Sequence, residues 1–410
     1  MSIAHILDRA AEATQWQEAL YKDLHQHPEL SMEEERTRGV FADKLREFPG
    51  VEVLEFGGGG VGILRNGEGS TVLERADFDG LPITEDTGLD YSATGEAMHA
   101  CGHDAHVSAL LGATEALAKA TDAWSGTFIA LFQPGEETAE GAQFMVDAGL
   151  TDKVPTPDVA FGQHIFIDKN VPAGSVLIAP GPVLSTATSL TVTVYGHGSH
   201  GSMPHLSVDP VVLASSIVLR LQTVVSREVD PHHFAVLTVG ALQAGSKANI
   251  IPDSATLRIN IRAYDEDVRA QIVEAIHRIV KTECWAAMSP REPEFVQSDN
   301  YPLTVNDEGV TEKVRAQLID VLGSDNVLDM EPWTASEDFS RIPDAFGAPY
   351  CFWGFGGRTD GASIPNHNPR FAPELQPTLT TATQALIAAA YAYLGNQRKD
   401  VPKESLGTAW

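Results

Sequence analysis

The sequence predicts an α/β protein in which one sheet-and-helix body is interrupted by a smaller α+β insertion of ferredoxin-like type. Three observations predict it. Continuous apolar runs at 126–132 and 158–164 have strand length, and helical stretches separate them. Between 185 and 296 the pattern changes to strand, helix, strand, strand, helix, strand, the βαββαβ order of a ferredoxin-like plait. After residue 300 the alternation of helix and strand resumes. The expected divisions are a first part at 1–184, an insertion at 185–296, a second part at 297–396 and a flexible tail at 397–410.

Bulk composition sets the bounds. The 410 residues are 43% hydrophobic, enough for two or three domain cores. There are 28 basic and 56 acidic residues, a formal charge of -28 spread along the chain. Nucleic acid and anionic membrane surfaces would be repelled. A small anionic substrate needs positive charge at its site, from metal ions or a few arginines. Three cysteines, Cys101, Cys284 and Cys351, argue against a disulfide scaffold and suit a reducing compartment. Residues 1–20 lack a basic segment followed by an apolar one, and no apolar run approaches the ~20 residues of a membrane span. A cytoplasmic protein is expected.

In chain order, residues 4–27 carry apolar positions at helical spacing and stop before Pro28. Ser31 with Glu34 reads as a capping box opening a second helix to about Arg46. Val51–Phe56 is a strand candidate. Gly57, Gly59 and Gly62 formally satisfy a dinucleotide fingerprint, but a strand-like run follows where a helix is required, so a hairpin turn is the better reading. A strand from Thr71 runs into Asp77 and Asp79, two apart and thus on one side of the chain.

The stretch Met98-His99-Ala100-Cys101-Gly102-His103-Asp104-Ala105-His106 holds one thiol, three imidazoles and one carboxylate. Gly102 lets the backbone turn so that Cys101 and His103 aim at one point. Alone, the stretch also fits a capped helix start with a buried thiol. The strand at 126–132 ends in Gln133-Pro134-Gly135-Glu136-Glu137, adjacent acids that are costly to bury together without a cation. The strand at 158–164 ends in His164. Ligand types thus gather at strand ends, where an open α/β sheet offers its site. In the insertion, Gly196-His197-Gly198-Ser199-His200-Gly201 is a histidine-bearing turn that does not match a nucleophile elbow, and 240–247 lacks the Lys-Ser order of a P-loop. Beyond 300 come an acidic turn at Ser336-Glu337-Asp338-Phe339, a strand at 350–353, a loop with His367 and a closing helix at 377–393.

Taken together with Arg75-Ala76-Asp77-Phe78-Asp79, Gly162-Gln163-His164 and Ala248-Asn249-Ile250-Ile251-Pro252-Asp253, these motifs in this order resemble the dinuclear-metal amidohydrolases and metallopeptidases that include aminoacylases, hippurate hydrolase and indoleacetyl-amino acid hydrolases. The resemblance spans about residues 15–395. It implies a phosphorylase/hydrolase-like mixed-sheet catalytic domain split by a lid that also dimerises, giving a homodimer or homotetramer. It implies two divalent ions on Cys101, His103, Glu137, His164 and His367, with Glu136 as general base. Asp79 would orient a ligand, His200 would reach from the lid to stabilise the oxyanion in a partner's site, and Asn249 and Arg262 would grip substrate.

The implied reaction is hydrolysis of N-acyl amino acids to a carboxylic acid and a free amino acid. A metal lowers the pKa of bound water from ~15.7 to about 7, supplying hydroxide, while Glu136 shuttles the proton. A thiolate ligand favours Zn, with Mn, Co or Ni also accepted by imidazole and carboxylate. The alternatives are a metallo-dipeptidase or carboxypeptidase on the same fold, and a metal-stabilised binding protein without a base, against which Glu136 argues. Three positions depart from the family pattern: Glu74 replaces an apolar strand residue, Gly80 a common alanine, and Lys247 a small or polar residue. The first two bear on packing, and Lys247 on charge near the substrate.

Overall fold

The computed structural model describes residues 2–395; the stretch 397–410, expected to be a flexible tail, lies outside the described residues. Helix α1 (Ile3–Gln26) buries Ile6, Ala10, Ala13, Gln17, Tyr21 and Leu24, one stripe at helical spacing, and stops short of Pro28. Helix α2 (Glu35–Glu47) follows, but Ser31 does not cap it. The Ser31 hydroxyl donates to Asp79 Oδ2 at 2.6 Å, and the Glu34 carboxylate accepts from the Gly135 N–H at 2.8 Å. The hydroxyl that local spacing had assigned to accept from the helix end instead donates to a buried carboxylate.

Strands β1 (Val51–Phe56) and β2 (Gly59–Asn66) form an antiparallel hairpin through Gly57 and Gly58, so the glycine-rich stretch is a turn. Next come β3 (Thr71–Asp77), α3 (His103–Lys119), β4 (Gly126–Gln133), the short helices α4 (Gly141–Asp147) and α5 (Leu150–Lys153), β5 (Val159–Phe166), β6 (Val176–Ile178) and β7 (Gly181–Leu184). Almost every residue of α3 is buried, so it is a core helix rather than an amphipathic surface one.

The chain then builds a second sheet from β8 (Thr186–Tyr195), β10 (Ala235–Ala244), β12 (Ser254–Ala263) and β13 (Glu294–Tyr301), with a small ribbon of β9 (Ser199–His200) and β11 (Ile250–Ile251). Helices α6 (Pro210–Arg227) and α7 (Glu266–Ala286) cover one face, each opened by an aspartate cap, Asp209 and Asp265. The order β10-β12-β8-β13 with βαββαβ connectivity is ferredoxin-like. Along β12, Ala255, Leu257, Ile259, Ile261 and Ala263 point into this core, which places Arg262 on the opposite face. The ladder of β13 is irregular between Ser298 and Tyr301, with Asp299 at φ 46°, and extends beyond the strand read at 294–297. Ser298, Asp299 and Asn300 are turn formers and hide that extension.

Strand β14 (Thr304–Asn306), α8 (Glu308–Leu322), β15 (Val327–Asp329), α9 (Arg341–Phe346), β16 (Tyr350–Gly356) and α10 (Thr378–Leu394) complete the larger unit. Its eight-stranded mixed sheet has the order β1-β2-β4-β3-β5-β16-β6-β15. One face carries α1, α3 and α10 around Leu110, Leu386 and Phe128; the other carries α4, α5 and α9 around Met145, Leu150 and Ile342. Strands β4, β3, β5 and β16 are mutually parallel, so their C-terminal ends open on one sheet edge. Among the described residues no helix is long and apolar enough to cross a membrane.

Candidate metal centre

That sheet edge collects the chemistry. Asp77 ends β3 and Asp79 follows it; the turn Glu136–Thr138 follows β4; His164 lies near the end of β5. Cys101 and His103 flank Gly102 at the start of α3. Gly102 has φ 82°, and a Cβ there would meet Ile165 Cγ2 at 2.3 Å, so both the turn and the close approach need glycine. His367 sits in the loop after β16 at φ 66°, uncommon for a residue with a Cβ. Its N–H donates to the Ala100 carbonyl at 2.9 Å, which ties that loop to the segment bearing Cys101.

The side chains converge. Cys101 Sγ is 3.4 Å from His164 Nε2 and 3.5 Å from His367 Nε2. Glu137 Oε2 is 3.1 Å from His367 Nε2, and Glu137 Oε1 is 3.9 Å from His103 Nε2. The outer ring nitrogens set the tautomers. His164 Nδ1–H donates to the Ile165 carbonyl at 2.8 Å, and His103 Nδ1–H donates to Asp79 at 3.0 Å (backbone O) and 3.1 Å (Oδ1). Both Nε2 lone pairs are thereby left for the cluster. His103 Nε2 and Glu137 Oε1 are buried without a hydrogen-bond partner, an arrangement that is costly unless a cation completes it. The thiol, imidazoles and carboxylate are a donor set suited to divalent transition metals.

The buried carboxylates dominate the electrostatics of the cluster. Burial opposes charge on His103, but Asp77, Asp79 and Glu137 outweigh it and push its pKa up to about 10. Burial, then His106, holds His164 well below the usual imidazole range. Burial and the carboxylates of Glu137 and Glu136 push the Cys101 thiol well up. Burial, then Glu337 and Glu137, raises Glu136 well above an ordinary carboxyl. Beneath it the fully buried Arg75 donates from Nε to Gln133 (2.8 Å), from Nη1 to Asp77 (2.7 Å) and from Nη2 to Glu337 (2.8 Å) and Asp338 (3.3 Å). Burial with Glu337 raises Asp338 to about 8 even against Arg75.

A cavity of about 310 Å³ opens over the cluster, lined by Cys101, Glu136, Glu137, His164 and His367. His103 and Asp79 lie buried beneath it. Arg262 also lines it, held by Nη1–H bonds to the Thr334 carbonyl (2.6 Å) and Ser336 Oγ (3.0 Å). Burial lowers its pKa. His200 and Asn249 do not line this cavity. They sit together on the exposed β9–β11 ribbon, where the Gly201 N–H donates to the Asn249 carbonyl at 2.8 Å.

Several residues at the site carried no signal of their own in the sequence. Ser31 supports Asp79 from 48 positions away. Asn366 Nδ2 donates to the carbonyls of Cys101 and Ile165, both at 3.3 Å; adjacency to His367 was its only clue. Phe166, Trp333 and Phe352 wall the cavity, and single aromatics in strands and loops read as core. Tyr301 lines it too; burial beside Glu136 and Glu137 pushes its phenol far up, so it remains an O–H donor. His106 donates from Nδ1 to Asp77 (2.5 Å) and accepts from the Ile165 N–H (3.0 Å), bracing the segment next to His164.

Comparison with known proteins adds to this geometry. Residues 73–391 match the profile of the family described as Peptidase family M20/M25/M40. The chain is 36% identical over 367 residues to Thermostable carboxypeptidase 1 of Saccharolobus solfataricus, covering 88% of this chain and 91% of that protein. It is 36% identical over 360 residues to Hippurate hydrolase of Campylobacter jejuni, covering 85% and 90%. Among solved structures it is similar to the Bacillus subtilis YXEP protein, described as a dinuclear metal binding peptidase from the M20 family, with TM-score 0.75, 26% identity, and coverage of 93% and 98%.

Proposed function

The chain belongs to peptidase family M20/M25/M40 and is an amidohydrolase, and from that premise we propose that it hydrolyses the amide bond of N-acyl amino acids at a centre of two divalent metal ions. One observation carries the reading: Glu136 stands beside the convergent groups Cys101, Glu137, His164 and His367 on one cavity, with His103 buried against them. Those five residues would hold the ions, with Zn the metal a thiolate favours and Mn, Co or Ni admitted. When bound, the ions supply a Lewis acid that acidifies water and polarises the scissile carbonyl.

The chain's own groups do the rest. Glu136 takes the proton of the attacking water on its carboxylate and delivers it to the departing nitrogen. Asp79 holds the Nδ1–H of His103 and so directs Nε2 into the cluster. Arg262 offers its charge to the substrate carboxylate from a fixed position. The Ser202 N–H donates to His200 Nδ1 at 3.2 Å, which leaves Nε2 as the donor. Since His200 is not at its own chain's cavity, it serves the oxyanion in a second copy, with Asn249 beside it on the ribbon; such a contact contributes roughly 3–4 kcal/mol to the rate. The 185–296 unit is then both lid and dimerisation surface in a homodimer or homotetramer. Three cysteines without disulfides suit a cytoplasmic location.

The likeness to hippurate hydrolase supports an acyl-amino acid substrate, and the aromatic walls of Phe166, Trp333 and Phe352 suit an apolar group. The likeness to a carboxypeptidase favours a second reading, cleavage of dipeptides or peptide C-termini at the same centre. A mass-spectrometric panel of N-acyl amino acids and dipeptides, with metal content measured on the same sample, tests both. Turnover of acyl-amino acids, lost on chelation and restored by Zn or Mn, is expected. Turnover of dipeptides alone moves the assignment to the second reading, and turnover that survives complete metal removal refutes both.

A further inference from the structure

The turn that carries Glu136 and Glu137 is held in an unusual way. It is bracketed by two left-handed residues, Gly135 at φ 55° and Ala139 at φ 57°. Ala139 has a Cβ, so this conformation persists only where the surroundings enforce it. The Glu136 carbonyl lies at the centre of the turn and accepts two hydrogen bonds. One is from the Ala139 N–H at 2.9 Å, which closes the turn. The other is from the Tyr301 hydroxyl at 3.1 Å, a contact across 165 positions of sequence.

Tyr301 stands where the ferredoxin-like sheet hands the chain back to the larger unit. It is the last residue of β13, and its pairing with Ala187 resumes after the irregularity at Ser298. Its neighbour Asn300 is fastened from both units. Arg341 of α9 donates to the Asn300 carbonyl at 2.6 Å, and Arg269 of α7 donates to Asn300 Oδ1 at 2.5 Å. The phenol therefore projects from a fixed anchor, and its ring borders the same cavity as Glu136.

We infer that Tyr301 is a positioning residue for Glu136: its hydroxyl clamps the carbonyl of the turn bearing the base, and so aims the carboxylate from the smaller unit's side of the cavity. This rests on the reading of Glu136 as the base. The hydroxyl is engaged by the backbone of the base's turn rather than by the cavity, so its loss is read in kcat rather than in KM.

The test is Tyr301→Phe in the full chain, which removes one oxygen and keeps the ring. It is assayed on whichever panel substrate the unmodified protein turns over. A fall in kcat of about tenfold with KM changed less than about twofold is expected, the pattern of a lost transition-state contribution. Metal content and Tm should match the unmodified protein. In a Glu136→Asp background, whose shortened side chain is already misplaced, Tyr301→Phe should cost less than about twofold. An unchanged kcat overturns the inference, as does a rise in KM at constant kcat, which would make Tyr301 a substrate contact. An equal loss in both backgrounds overturns it too, since the phenol would then act apart from Glu136. Glu136→Gln separates the two levels. If it keeps its rate, the assignment of the base fails; if it is inactive while Tyr301→Phe is normal, only the positioning role fails.

Discussion

Glu74 lies on β3 between Val72 and Ala76, fully buried, and neither of its carboxylate oxygens has a hydrogen-bond partner. Burial alone raises its pKa well above the ordinary carboxyl value. The folded state therefore holds a proton that the unfolded chain has lost. Stability on this account is greatest below the unfolded pKa, near 4.5, and declines as pH rises toward the folded value. Glu74→Leu should raise stability at neutral pH by roughly 1–3 kcal/mol and flatten that decline, as read by urea unfolding from pH 4 to 8. Equal stability at every pH would show that the carboxyl is solvated. At this scale the convergence of Cys101, His103, Glu137 and His164 was legible because they sit at strand ends or a helix start, and the resemblance joined His367 to them as proposed donors. Ser31 was not, because the Ser31–Glu34 spacing imitates a helix cap while its true partner, Asp79, is remote. Tyr301 and Trp333 were not, because an aromatic at a cavity wall has the same sequence context as one in a core.

Between β3 and α3 runs a long segment with little regular structure, 78–102, and it is pinned to α1 by a buried cluster of charges. His25 of α1 donates from Nδ1 to Asp104 at 2.6 Å, and its Nε2 meets Glu85 at 3.2 Å. Glu85 also accepts from the Ala93 N–H at 2.6 Å and from the Thr87 hydroxyl. Burial opposes charge on His25, but its two carboxylate partners raise it to about 9, while burial opposes and His25 and Thr87 lower Glu85 to about 2. The histidine's contribution is complete below about 6.5 and is lost as pH rises through about 9; the glutamate's is complete above about 4.5 and is lost as pH falls through about 2. His25→Gln should lower stability by an amount on the order of 3 kcal/mol at pH 6 and much less at pH 10, measured by thermal unfolding. A pH-independent loss would mean packing, not charge, fastens the segment. The regular elements here were legible from periodicity: the 126–132 and 158–164 runs became β4 and β5, and the βαββαβ pattern became the smaller sheet. The short strands β6, β7, β14 and β15 were not, because three or four residues show no period, and the insertion of β16 between β5 and β6 is a pairing that no local window contains.

For the whole molecule, the fold separates the two sets of proposed catalytic groups. Glu136 and the proposed donors Cys101, Glu137, His164 and His367 line one cavity, with His103 buried next to them, while His200 is exposed on a ribbon of the smaller unit. The resemblance named His200 and implied a partner's site for it; its exposure on the ribbon, away from its own chain's cavity, agrees with that proposal. If it acts in a partner's site, two inactive variants should rescue one another. Mixing His200→Ala and Glu136→Gln protomers after dissociation should restore about one quarter of normal activity, since half the dimers are mixed and one site in each is whole. No rescue would place His200 outside the reaction or within its own chain's site. The reading of the whole molecule depends most on Glu136, and the direct measurement is Glu136→Gln with metal content and turnover recorded on the same sample. The account predicts a fall in kcat of roughly 10²–10⁴-fold with metal stoichiometry and fold intact. Turnover near the unmodified rate with metal retained would contradict it.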